Sequence, residues 1–199
     1  MSDGDTGEEI MGATYRALCA HGYADLTMQD IADESGKSKA ALHYHYDSKH
    51  DLLCAFLEYL YDGFVERTSG VSGENAYERL VAFIDAVLDK PDDDSEQFGT
   101  AILEIRAQAP YEPRFRERLT EFDDYLAEEL SAILEAGIED GTFDPEMDSA
   151  DTARFLVTVL TGAATERVTS GRSVECTRRM LTEYVETHLL TDRAREAET

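Results

Sequence analysis

Residues Leu26–Leu53 read LTMQDIADESGKSKAALHYHYDSKHDLL, and this stretch decides the fold. It runs against the composition of the chain. The whole protein carries a formal charge of −25, yet Gly36–His50 holds Lys37, Lys39 and Lys49 against a single acid, Asp47. The one lysine elsewhere is Lys90, and three of the five histidines (His43, His45, His50) fall in this stretch too. A local excess of positive charge on an acidic chain points to an anionic partner. Charge alone is equally compatible with an ordinary solvated face.

The pattern inside the stretch is more specific. Thr27-Met-Gln-Asp30 is a capping box, in which each end residue satisfies the other's backbone N–H. It predicts a short helix from Met28 to about Glu34, with Ile31 and Ala32 inward. Ser35-Gly36 makes a tight turn. Ser38 caps a further helix to about Tyr44. Asp47 or Ser48 caps the next, which carries Leu52, Leu53, Phe56, Leu57 and Leu60. Upstream, Thr6-Gly-Glu-Glu9 reads as another capping box, followed by a stripe of Ile10, Ala13, Ala17 and Leu18. Gly22 stops that helix with a left-handed residue. Two short helices joined by a glycine turn, with a third packed before them, describe a helix-turn-helix.

A helix that enters the major groove must be short, must present small or polar residues, and must be steered by phosphate contacts at its flanks. With Leu42 toward the core, Lys37, Ala40, Ala41 and Tyr44 share the opposite face. Ala40 and Ala41 allow the backbone close to base edges. Lys37 at the turn reaches a guanine edge or a phosphate. His43 and His45 are donors in either tautomer. Lys49 lies in the first turn of the next helix, beside unpaired N–H groups that favour phosphate, and Thr27 presents its hydroxyl in the same way. Tyr46 reads as core. His43 and His45 diverge on a helix, which argues against a metal site, and no acid at catalytic spacing supports acid–base chemistry.

The rest of the chain reads as helix throughout. Apolar stripes recur in Ala76–Lys90, in a segment capped by Ser95 and broken from the former by Pro91-Asp-Asp-Asp, and in a long helix from about Arg114 to Asp140, roughly 40 Å at the standard rise. Gly141 ends the long helix. Asp148 caps another, Gly171 separates it from a last one, and the polar tail from Asp192 is expected to fray. Residues 1–5 are expected to be disordered. Arg114, Arg116 and Arg118 read as balancing nearby acids. Hydrophobic residues make up 42% of the chain, enough for a core, but no run of 18 apolar residues exists. The acidic N-terminus is no signal peptide, so a cytoplasmic protein with no membrane partner is expected. Cys19, Cys54 and Cys176 fit no metal spacing and read as reduced, packed side chains. Forty-three acids against 18 basic residues predict a protein adapted to a salt-rich, halophilic cytoplasm.

The residues from Ala17 to Thr27 (ALCAHGYADLT), then Ile31–Ser38 (IADESGKS), Leu42–Tyr46 (LHYHY), Ser48-Lys49 and Leu52-Leu53 strongly resemble the DNA-binding domain of the TetR family of transcriptional regulators, over about residues 8–60. The resemblance implies an all-α homodimer, with an N-terminal three-helix DNA-binding domain (1–55) and a helical-bundle ligand-binding and dimerisation domain (56–199). It implies a repressor that binds a palindromic operator and is released by a small-molecule effector. It places Thr27, Lys39, Ala41, His43, Tyr44, His45 and Lys49 at positions that commonly face DNA. His43 stands where the family usually has tyrosine, and Lys37 where it usually has a small apolar residue. In the C-terminal half only Gly137–Phe143 (GIEDGTF) and the helix count resemble the family. The last two helices would form the dimer interface, with small residues at Thr161–Ala164 and bulk from Met180, Tyr184 and Leu189. An effector pocket among residues 76–163 would be lined by Phe83, Phe98, Ile102, Phe122, Tyr125 and Phe155, with Arg106 or Glu104 supplying charge. No cofactor is implied. The alternative is an architectural DNA-binding dimer without ligand control. An enzyme finds no support in any nucleophile, metal pair or phosphate-binding loop.

Overall fold

Capping chemistry sets the helix boundaries. The computed structural model describes residues 3–89 and 96–197. Among them are ten α-helices: α1 (Asp3–Asp25), α2 (Met28–Ser35), α3 (Lys39–His45), α4 (Lys49–Ser69), α5 (Ala76–Leu88), α6 (Glu96–Gln108), α7 (Pro113–Asp140), α8 (Ser149–Ser170), α9 (Glu175–Tyr184) and α10 (Asp192–Ala197). The Thr27 hydroxyl accepts from the Asp30 N–H at 3.3 Å, and the Thr27 N–H donates to the Asp30 carboxylate at 2.8 Å. The Ser38 hydroxyl accepts from the Ala41 N–H at 3.1 Å. Ser48 caps α4, accepting from the Asp51 N–H at 3.1 Å and donating to its carboxylate at 2.8 Å. Asp148 caps α8 as the sequence predicts, and Asn75 caps α5, a signal the sequence reading passed over. Each such cap is worth about 1 kcal/mol. Gly36 ends α2 in the left-handed region (φ 63°), and the Lys37 N–H returns to the Ala32 carbonyl.

Three expectations need correction. Helix α1 begins at Asp3, so Thr6 lies inside it and does not cap it. Gly22 interrupts the helix with positive φ (69°) as expected, but its ψ of 172° lies outside the left-handed helical region, and a short helical turn follows it to Asp25. Residues Asp192–Ala197 of the C-terminal tail form α10. Before it, Val185–Leu189 forms a π-helical turn closed by the Leu190 N–H on the Val185 carbonyl. Arg195 of α10 then donates to the carbonyls of Glu186, Thr187 and Leu190, acceptors that the helix end leaves open. The predicted Ser95 cap and the Pro91–Asp94 break lie outside the described residues.

The chain divides into two compact units, residues 1–64 with 92–120 and residues 65–91 with 121–199. In the first, Ile10, Leu18, Leu26, Ile31, Leu42, Leu52, Leu53, Phe56, Ile105 and Phe115 form one buried cluster. Burying each such side chain contributes about 1.5–3 kcal/mol before entropy is counted. In the second, Leu80, Phe83, Leu130, Leu156 and Leu160 are buried. Phe143 is buried as well, its N–H donating to the Gly137 carbonyl, and it forms an isolated antiparallel bridge with Leu190. No helix among the described residues is long and apolar enough to cross a membrane.

Cys19, Cys54 and Cys176 carry thiols, and Cys19 is half-buried. Cys54 is buried, and burial pushes its thiol up, away from reactivity. Cys176 departs from expectation: it is exposed on α9.

Candidate nucleic-acid interface

Helix α3 spans two turns, and one residue orients it. Leu42 is fully buried between the neighbouring helices, and Tyr46 at the C-terminal end packs against the same core. Burial pushes the Tyr46 hydroxyl above its ordinary range, in keeping with the core role read from sequence. With Leu42 inward, Lys39, Ala40, His43, Tyr44 and His45 are exposed and Ala41 is half-buried. Tyr44 is 86% exposed, and its ring meets the edge of His45, at 5.2 Å. The rest of the ring and its hydroxyl are left to solvent.

The flanking groups divide into available and engaged. Thr27 is exposed, although its hydroxyl also donates to Asp30 at 2.7 Å. This hydrogen bond holds the Asp30 carboxyl below the usual range. Among the described residues, the Lys39 ammonium has no hydrogen-bond or ion-pair partner. Lys37 turns away from the α3 face: its ammonium lies 2.7 Å from the Glu9 carboxylate of α1, and its side chain is only 18% exposed. Lys49 is engaged as well, donating to the backbone carbonyls of Tyr23 at 3.1 Å and Leu26 at 2.9 Å. The positive charge counted in the sequence is therefore largely spent within the protein. A local charge count has no means of finding partners 23 to 28 residues upstream.

Behind this face, the start of α4 meets the start of α7. Arg114 pairs with Asp51 and Arg118 with Glu58. The hydrogen bond from Arg114 and that from Ser48 hold the Asp51 carboxyl below the usual range. Arg116 donates instead to the carbonyls of Ala109 and Pro110. His50 packs on Phe115, with ring centroids 4.5 Å apart, while His43 and His45 lie exposed on α3. Among the described residues, no group of three His, Cys, Asp or Glu side chains could hold a metal ion.

This arrangement has relatives. Residues 10–56 match the family model of bacterial regulatory proteins of the tetR family, and residues 76–190 match the BetI-type transcriptional repressor C-terminal domain. The chain belongs to the TetR family of transcriptional regulators. Members of this family are DNA-binding regulators that use a helix-turn-helix. A TetR transcription regulator from Haloarcula marismortui ATCC 43049 is 43% identical; the match covers 94% of this chain and 99% of that one, with a TM-score of 0.88. The transcriptional repressor AcnR of Corynebacterium glutamicum is 27% identical over 168 residues, 84% of each chain. FadR from Bacillus subtilis, crystallised with stearoyl-CoA, shares the fold at 18% identity and a TM-score of 0.76, over 89% of this chain and 96% of that one.

The residues expected to line a TetR-type effector pocket belong to both compact units. Phe83 is buried and Phe122 half-buried in the second unit. The Tyr125 hydroxyl lies 2.9 Å from that of the buried Thr68. Phe155 points out of α8, 47% exposed, against the Tyr184 ring of α9 at 5.4 Å. Ile102 packs on the core of the first unit. Arg106 is half-buried there, and Glu104 accepts the Tyr23 N–H at 2.6 Å. The Phe98 side chain lies outside the described residues.

Proposed function

We propose that this protein is a ligand-responsive repressor that binds a palindromic operator as a homodimer and leaves it when a small molecule enters its C-terminal helices. One observation carries the DNA-binding part. Helix α3 buries Leu42 and turns Lys39, Ala40, His43, Tyr44 and His45 outward from a glycine-turned pair of capped helices. In this reading residues 1–55 contact DNA, with Thr27 and Ala41 at the edge of the contact face, and residues 56–199 serve effector binding and dimerisation. With Lys37 and Lys49 engaged inside the protein, α3 side chains and helix N-termini supply most of the DNA contacts. That suits a salty cytoplasm, in which counterion release contributes little to binding. The charge of −25 and the likeness to the Haloarcula marismortui protein favour that setting.

Dimerisation through α8 and α9 is supported by the apolar side chains they leave open, Phe155 at 47% and Met180 at 52% exposed. A two-fold dimer sets its recognition helices about 34–36 Å apart, or a multiple of that, and so requires a palindrome. The stearoyl-CoA held by FadR supports a small-molecule effector within a bundle of this fold.

Selection of bound DNA from a random pool at low and molar salt tests the reading. A palindrome recovered at both salts is the expected result. Weak preference at both would favour an architectural DNA-binding dimer without ligand control.

A further inference from the structure

The peptide groups of Tyr23 are gripped from both sides by side chains of opposite charge. The Tyr23 N–H donates to the Glu104 carboxylate of α6 at 2.6 Å, and the Tyr23 carbonyl accepts from the Lys49 ammonium of α4 at 3.1 Å. The same ammonium donates to the Leu26 carbonyl at 2.9 Å and lies 4.9 Å from the centre of the Tyr23 ring. That ring meets Phe115 of α7 edge-on at 6.1 Å. Gly22 makes the approach possible: its φ of 69° and ψ of 172° suit glycine, and a Cβ there would come within 3.0 Å of the Glu104 carboxylate. All these residues belong to one compact unit.

Carbonyls at the end of a helix have no partner within it, and an ammonium with three donors satisfies two of them at once. Leu26, the second residue held, is buried and adjoins Thr27, the cap of α2. Helix α3 packs on α2 through Leu42. A shift of the Tyr23–Leu26 connection therefore moves the helix-turn-helix. Contacting a phosphate would require Lys49 to give up two carbonyls and an aromatic face.

We propose that Lys49 and Glu104 are positioning residues: they jointly fix the Tyr23–Leu26 connection and hence the pose of the helix-turn-helix, and Lys49 serves operator binding through this geometry instead of a phosphate contact. The proposal rests on the operator-binding reading above.

The test compares wild type with Lys49→Met, Lys49→Arg, Glu104→Gln and the Lys49→Met/Glu104→Gln double variant. Affinity is measured for the selected operator and for a random duplex across a KCl series, and amide exchange at Tyr23 is followed without DNA. Lys49→Met should weaken operator binding about tenfold, since hydrogen bonds to charged groups are the stronger ones, with random-duplex affinity and salt slope held. Purely structural damage would lower the melting temperature but leave the operator-to-random ratio of the folded protein alone. Lys49→Arg keeps the charge but not the compact ammonium, and it should stay impaired. Glu104→Gln should speed Tyr23 exchange. The double variant should lose less than the product of the two single losses, because both act through one connection. A salt slope lower by about one per subunit, with affinity restored by Lys49→Arg, would make Lys49 a phosphate contact and overturn the proposal. Multiplicative losses would also overturn it. Should Lys49→Met not fold, Lys49→Arg and Glu104→Gln carry the same comparison. Should wild type select no operator, the functional reading fails, while unchanged Tyr23 exchange in Glu104→Gln would separately refute the clamp.

Discussion

Glu9 holds Lys37 at 2.7 Å, tying the turn between α2 and α3 back to α1. The pair withdraws from the exposed face of α3 the lysine that the sequence alone sets beside Ala40 and Tyr44. Glu9→Gln should release it. We expect a two- to fivefold gain in affinity for any duplex at about 0.1 M salt and a salt slope steeper by about one per subunit. Stability should change by about 1 kcal/mol or less, since the Glu9 end of the pair is half exposed to solvent. Binding curves that overlay those of wild type would mean that Lys37 is out of reach of DNA even when freed.

Tyr44 offers the cleanest separation of function from folding. Its side chain is 86% exposed and meets the edge of the His45 ring, so Tyr44→Ala should leave stability within about 0.5 kcal/mol of wild type. Operator affinity should fall by tenfold or more, the cost of about 1.4 kcal/mol or more expected of a good base contact. Repeating the site selection with the variant provides the check. Recovery of the same site with the same preference would exclude base readout by Tyr44.

Gly137 and Phe143 interlock. The buried Phe143 ring occupies the space that a Cβ at position 137 would need. Gly137→Ala should therefore destabilise the protein by about 1–3 kcal/mol, as overpacking of a core does. Chemical denaturation at constant salt measures it, and an unchanged midpoint would show that the Phe143 loop yields freely.

Asp51 gives a signed pH dependence. Its folded-state carboxyl is lowered by the hydrogen bond from Arg114 and then by that from Ser48. Such a group contributes stability that is fully present above the unfolded value, about 3.9, and is lost as pH falls through the lower folded value. The melting temperature of wild type should fall between about pH 5 and pH 3, and Asp51→Asn should fall less over the same window. Parallel curves would show that the Arg114 pair contributes nothing to folding.

Phe155 and Met180 should be the determinants of association. Replacing both by glutamate removes apolar contact and adds repulsion across a two-fold axis. The expected product is a helical monomer by light scattering that no longer binds the palindrome. A dimer of unchanged affinity would move the interface away from α8 and α9.

The sequence by itself determined the all-helical class, most helix boundaries and the exposed face of α3. These depend on groups within four residues of one another: Thr27 with Asp30, Ser38 with Ala41, Asp148 with Asp151, and the spacing that buries Leu42 while exposing Tyr44. Only the tertiary structure decided which charges remain available to a partner. Lys37 and Lys49 look alike on a list of basic residues, but Glu9 and two backbone carbonyls claim them from 23 to 28 residues away. Glu104 reaches Tyr23 across 81 residues. Propensity and capping act along the chain over a single helical turn. The partner of a charge is chosen by where the folded backbone brings it, and at Tyr23 that choice sets the Lys49 ammonium and the Glu104 carboxylate on the protein's own backbone.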